Sequence, residues 1–132
     1  MARQSAEMQG QSDRLNPVVV ETRRGPEQLI RILEALARLE LSDGLTLSQL
    51  IVEATSRLPR DATVVALLPQ APPETAIALG GLKRRGYSVV AMLVLPDEDE
   101  LKEHSGRLVA EGIEVRVIEN EDDISHVCSL QV

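Results

Sequence analysis

Residues 62–95 read ATVVALLPQAPPETAIALGGLKRRGYSVVAMLVL, and this stretch decides the fold. Two Val-rich apolar runs, Ala62–Leu68 and Tyr87–Leu95, flank a segment of helical character. Neither run alternates apolar with polar residues, so each reads as a strand covered on both faces. Between them, Pro72-Pro73-Glu74 opens a helix at the first turn, where a missing N–H costs nothing. Ile77 and Leu82 are expected to point inward, and Gly86 stands just past the helix end. Gly80-Gly81 weaken this helix and would permit close packing on the sheet. Strand, helix and strand with short connections imply a parallel pair and a right-handed crossover.

The same alternation continues outward. Asp97 with Glu100 predicts a capping box for a helix running to Glu111, lined by Leu101, Leu108 and Val109 and ended by Gly112. Ile113–Ile118 alternates enough for a third strand nearer an edge, and Asp122–Leu130 suits a short closing helix. Upstream, Thr46 with Gln49 predicts a second capping box, with Leu50, Ile51 and Ala54 on the buried face and Pro59 as the stop. Pro26 opens a helix to about Glu40, with Leu29, Leu33, Leu36 and Ala37 at helical spacing and Ile30 and Ile32 beside them. Ser42-Asp43-Gly44 is a turn cluster. Pro17–Thr22 reads as a short strand, followed by a turn at Arg23-Arg24-Gly25. Residues 1–16 are polar and aperiodic, as expected of a flexible leader. The fold class that results is α/β: a three-layer, doubly wound, mainly parallel sheet with helices on both faces, in a single domain over residues 17–132.

Composition narrows the function. The chain of 132 residues carries a net charge of −7 and only 1% aromatic residues, Tyr87 being the sole one. An acidic surface repels phosphate backbones and anionic lipid. One Tyr cannot build the stacking platform that single-stranded nucleic acid requires. The short basic runs Arg23-Arg24 and Lys83-Arg84-Arg85 read as solvated helix-flanking charge. Cys128 is the only cysteine, which excludes an internal disulfide and fits the cytoplasm. No apolar run approaches the roughly 18–20 residues that cross a bilayer.

No catalytic residue, cofactor-binding residue or metal set is assembled by these motifs. His104 falls in the acidic helix and is expected at the surface. His126 lies two residues from Cys128, and the pair reads as a surface His beside a core Cys. Asp97–Glu100 and Glu119–Asp123 lack the alternating spacing and central Gly of a calcium loop, and read as helix caps. The carboxyl ends of the strands, where open parallel sheets bind ligands, fall at Pro69–Pro73, Leu95–Asp97 and Ile118–Asp122. None carries a glycine-rich phosphate loop.

The run from Arg24-Gly25 to Leu39, the Gly44-Leu-Thr46-Leu loop, the strand ending Leu67-Leu68-Pro69 and the segment Leu82-Lys-Arg-Arg-Gly-Tyr-Ser-Val-Val90 together resemble the C-terminal half of the bacterial DUF58 family. Its members carry a domain similar to the von Willebrand factor A domain. The resemblance covers residues 17–130 in order of elements and implies a partial von Willebrand A/Rossmann-like sheet. It also implies a divalent-cation site built from three loops. The first, Asp-x-Ser-x-Ser, has no counterpart here. Thr46 stands at the second, and Pro69-Gln70-Ala71 occupies the place of the third-loop Asp. A lone hydroxyl cannot hold Mg²⁺, so Thr46 is expected to be a vestigial match serving as a helix N-cap.

The resemblance further implies a protein partner, a MoxR-type AAA+ ATPase, and a membrane-anchored parent protein. The family's opening strand lies beside the one matching Ala62–Leu68. Its absence predicts an open strand edge, hidden by homodimerisation or by Pro17–Thr22 folding onto it. The expected interaction residues are Val64, Val65, Leu67, Pro69, Gln70, Pro96 and Asp97. The reading is a non-enzymatic interaction and assembly module. The alternative is a flavodoxin-like sensor or enzyme binding a small ligand or nucleotide at the carboxyl ends of the strands.

Overall fold

A computed structural model describes residues 17–41, 43–94 and 96–129. The expected leader over residues 1–16 lies outside the described residues, as do Ser42, Leu95 and Leu130. The chain divides into two compact units, one ending at Glu53 and the other beginning at Ala54.

The regular structure described in the first unit is helical. Residues 17–24 form no strand, contrary to the expectation for Pro17–Thr22. The β preference of Val18-Val19-Val20 is realised only where a neighbouring strand takes up the backbone groups. The segment is instead tied to the following helix by Gln28, whose Nε2 donates to the Glu21 carbonyl at 2.8 Å. Helix α1 runs Pro26–Arg38 with Pro at its start. Its apolar side chains Leu29, Ile30, Ile32, Leu33 and Leu36 are exposed, and none of its residues is buried. Helix α2 spans Leu47–Thr55. Its capping box forms as the sequence predicts: the Gln49 amide donates to Thr46 Oγ1 at 3.3 Å, and the Thr46 amide to Gln49 Oε1 at 2.9 Å. Leu50, Ile51 and Ala54 are only half-buried.

The second unit alternates strands and helices: β1 Thr63–Leu68, α3 Pro73–Arg84, β2 Ser88–Val94, α4 Leu101–Ala110, β3 Glu114–Ile118 and α5 Asp122–Ser129. The three strands form one parallel sheet in the order β1-β2-β3. With its three helices this unit has the α/β, partial Rossmann-like doubly wound fold that the alternation predicts. Because the strand order advances in one direction, right-handed crossovers place α3 and α4 on the same face. The register sets Leu67 beside Met92 and Met92 beside Arg116. Met92 and Ile118 cluster with Val127 of α5, with Val94 packed against them, so α5 covers the opposite face. The core centres on the fully buried Leu68, Leu79, Val90, Leu93 and Leu108.

Gly112 closes α4 at φ 78, a left-handed conformation that glycine adopts at little cost. A Cβ there would also stand 3.1 Å from Lys83 Nζ.

Several expectations fail for identifiable reasons. Strand β1 is not covered on both faces, since Val65 and Leu67 are 46% and 65% exposed. Ile77 and Val109 point outward; the buried stripe of α3 is instead Thr75, Ala76, Leu79 and Leu82. Gly80 admits the turn after α4 and not the sheet: an added Cβ would lie 2.9 Å from Glu111 Cδ. No Asp97–Glu100 capping box forms, because Glu100 is itself the N-cap and makes no side-chain cap bond. Asp97 Oδ1 accepts from the Asp99 amide instead, at 2.9 Å. Cys128 is exposed, and Val127 is the residue of α5 that enters the core.

Candidate functional site

Strand β1 has a neighbour on one side only, because β2 pairs with it and no other described strand does. Among the described residues its outer edge therefore has no ladder partner for its N–H and C=O groups, and such an edge is a template for another extended segment. Side chains on a strand alternate between faces. Val64, Ala66 and Leu68 turn toward the α3–α4 side and are half-buried to buried. Thr63, Val65 and Leu67 turn toward the α5 side and are exposed, because α5 packs on β3 at the far edge of the sheet. The outer side of β1 is thus an edge unpaired among the described strands, with two large aliphatic side chains exposed beside it. Complete burial of a Val or Leu is worth roughly 1.5–3 kcal/mol, so sealing the exposed remainder of Val65 and Leu67 contributes on the order of 1 kcal/mol each.

The other expected contact residues lie at the carboxyl ends of the strands. Pro69, Gln70 and Asp97 are exposed, and Pro96 is half-buried. Val64 alone among the seven faces the interior side of the sheet.

The loop after β1 is held by a side chain that the sequence reading placed in solvent. His104 of α4 is only 6% exposed. Its Nδ1 accepts from the Ala71 amide at 3.3 Å, and its Nε2 lies 3.1 Å from Glu100 Oε2. Nδ1 also lies 3.4 Å from the Ala71 carbonyl; the bond from the Ala71 amide assigns Nδ1 as acceptor in the tautomer that carries its proton on Nε2, toward the Glu100 carboxylate. Arg107, one turn on, donates from Nη1 to the Ala71 carbonyl at 3.3 Å and is paired with Glu103. Ala71 itself is fully buried. Both imidazole nitrogens are engaged, so His104 clasps the loop and offers no free base to a substrate. A signal existed in the sequence: His104 falls three residues after Leu101 and four before Leu108, on the apolar stripe of its own helix.

On the α5 side of the sheet, Arg116 is 5% exposed. Its guanidinium donates to the Val127 carbonyl at 3.0 Å and to Glu114 Oε1 at 3.0 and 3.1 Å. These bonds satisfy a buried charge and fasten the last turn of α5 to β3. The carboxylates before α5 are expected to cap it, but the bonds fasten the loop ahead of the helix: Asp123 Oδ2 accepts from the amides of Glu119 and Asn120, both of which precede α5, and the first helical amide, that of Asp122, donates to the neutral Asn120 Oδ1.

A cleft of about 250 Å³ lies at the amino ends of β2 and β3, lined by Lys83, Tyr87, Ser88, Val89, Val90, Gly112 and Glu114. It is smaller than the roughly 300–1,000 Å³ of ordinary ligand pockets. The Lys83 ammonium is committed to the Gly112 carbonyl. Among the described residues, no group of three or more His, Cys, Asp or Glu is placed to hold a metal ion, and Thr46 is occupied as the cap of α2. No described helix is long and apolar enough to cross a membrane. Comparison with protein-family models, with curated proteins and with solved structures finds no match.

Proposed function

We propose that this chain is a non-enzymatic protein-interaction module, resembling the C-terminal half of a DUF58 von Willebrand A-like domain, and that it acts in the cytoplasm. The observation that carries the reading is the open edge of β1, flanked by exposed Val65 and Leu67. A free parallel edge with aliphatic side chains on one face accepts a strand from another protein. Backbone bonds then supply affinity and the side chains specificity. The clasp of His104 and Arg107 on Ala71 supports this by fixing the strand's carboxyl end, which lowers the ordering cost of binding.

The family resemblance supplies the partner class, a MoxR-type AAA+ ATPase. Binding of the purified ATPase from the same genome to immobilised chain tests this. The expected result is saturable binding that the double substitution Val65→Lys, Leu67→Lys abolishes, because it plants two ammonium groups on the surface to be buried. Binding that survives this change, or none by the unaltered chain, would refute the assignment.

A further inference from the structure

The loop between β1 and α3 reads Pro69-Gln-Ala-Pro-Pro73, so three of its five residues are prolines. Proline has no N–H, which leaves the Gln70 and Ala71 amides as the loop's only backbone donors. The loop is tied to α4 at Ala71. Arg107 donates to the Ala71 carbonyl at 3.3 Å, and His104 Nδ1 accepts from the Ala71 amide at 3.3 Å. The two ties differ in kind. A guanidinium keeps its proton in proteins, so the Arg107 bond does not depend on pH. An imidazole accepts at Nδ1 only while that nitrogen is bare.

Histidine is the side chain that ordinarily changes charge between about pH 5 and 8. With one proton already on Nε2, toward Glu100, a second must go on Nδ1. There it meets the Ala71 N–H, donor against donor. The Ala71 carbonyl lies 3.4 Å from Nδ1 and can receive the new proton beside the Arg107 bond, because a carbonyl has two lone pairs. The imidazolium therefore turns from the amide to the carbonyl and leaves the Ala71 N–H without an acceptor. Ala71 is fully buried, so no solvent stands by to replace the lost bond.

The charges around the ring are few. From its own helix, Glu100 holds its carboxylate against Nε2, and Arg107 lies one turn on, paired with Glu103. The loop over residues 69–73 carries no ionisable side chain, and neither do β1 and β2. On α3, Glu74 is exposed, while Lys83 and Arg84 are engaged at the far end with the Gly112 carbonyl and Glu111. On β3, Glu114 and Arg116 bond each other on the α5 side of the sheet. Asp97, Glu98 and Asp99, ahead of α4, are exposed. Glu100 is thus the counter-charge in contact with the ring.

We propose that His104 is a proton-operated latch on the loop after β1. Neutral, it holds the Ala71 amide; as imidazolium, it lets that amide go while Arg107 keeps the carbonyl. This goes beyond the contact reading of β1. Only its consequence rests on that reading: Pro69 and Gln70 belong to the loop, so acid loosens the carboxyl end of the contact strand.

NMR on the free chain tests the latch with no partner present, so its failure is separate from a failure of the β1 contact. Ring nitrogen shifts report the protonation of His104. The protection factor of the Ala71 amide reports the bond, with the pH dependence of intrinsic exchange divided out. Between about pH 8 and 5, Ala71 is expected to lose protection by about tenfold or more as Nδ1 gains its proton. The amides of Val90 and Leu93 should keep theirs. His104→Asn cannot titrate and should leave Ala71 protection independent of pH. A ring that stays neutral throughout, a protonated ring with Ala71 protection unchanged, a loss shared equally by Val90 and Leu93, or the same loss in His104→Asn would each overturn the proposal.

Discussion

Strands β1 and β2 are built from nearly the same residues, TVVALL against SVVAMLV, yet they meet opposite fates. In β2 the five consecutive residues Val89–Leu93 are buried, while in β1 only Leu68 is. The difference lies in their neighbours. β2 has a strand on each side and helices over both faces. β1 has one strand, a cover on the α3–α4 side, and an open face at Val65 and Leu67. An apolar run therefore shows that a segment can be buried, and the topology around it decides whether it is. In β1 the unused capacity is the proposed contact surface.

The largest expected effect sharpens this contrast directly. Leu93→Ala removes a fully buried side chain from β2 and should destabilise the fold by about 2–5 kcal/mol. Leu67→Ala in β1 should cost no more than about 0.5 kcal/mol, as expected at an exposed position. Urea denaturation of both variants checks the pair; equal costs would break the distinction between the strands. His104→Ala comes next. It leaves the buried Ala71 amide without its acceptor and should cost about 1–3 kcal/mol, with faster exchange at that amide measured by NMR. Next in size is Thr46→Ala, which removes the cap of α2 and should cost about 1 kcal/mol. If Thr46 serves only as that cap, added Mg²⁺ should not shift the thermal midpoint of the unaltered chain, since only a ligand that binds the folded state raises it. The smallest effect concerns α3, the crossover joining the two strands. Gly81→Ala should stabilise by about 0.5–1 kcal/mol, because the nearest atom to an added Cβ is 3.9 Å away. Gly80→Ala should lose that gain against Glu111, whose Cδ and Cβ would lie 2.9 and 3.1 Å away.

What could be read from the sequence was local. The capping box at Thr46 and Gln49, the proline starts of α1 and α3, and the glycine stops at Gly86 and Gly112 all depend on residues within a turn or two of each other. The βαβ alternation gave the parallel sheet for the same reason. What could not be read depends on neighbours distant in sequence. Val18-Val19-Val20 resembles a strand but pairs with no described strand. Ile77 and Val109 resemble core residues, yet Leu79 and Leu108 are the ones at the buried phase of their helices. Cys128 and Val127 are adjacent, and the rotation of α5 on β3, pinned by Arg116, decides which goes inside. His104 is of a type common at the surface, but its spacing to Leu101 and Leu108 puts it on the inner stripe of α4, where it is buried.

The central claim is that β1 is an open contact strand while β2 is sealed, and native-state hydrogen exchange of the free chain tests it most directly. The account predicts that amides of Val89–Leu93 exchange only through global unfolding. Along Thr63–Leu68, alternate amides that point away from β2 should exchange orders of magnitude faster than those bonded to it. Uniform protection across β1, as slow as in β2, would show that the edge is already covered and would contradict the account.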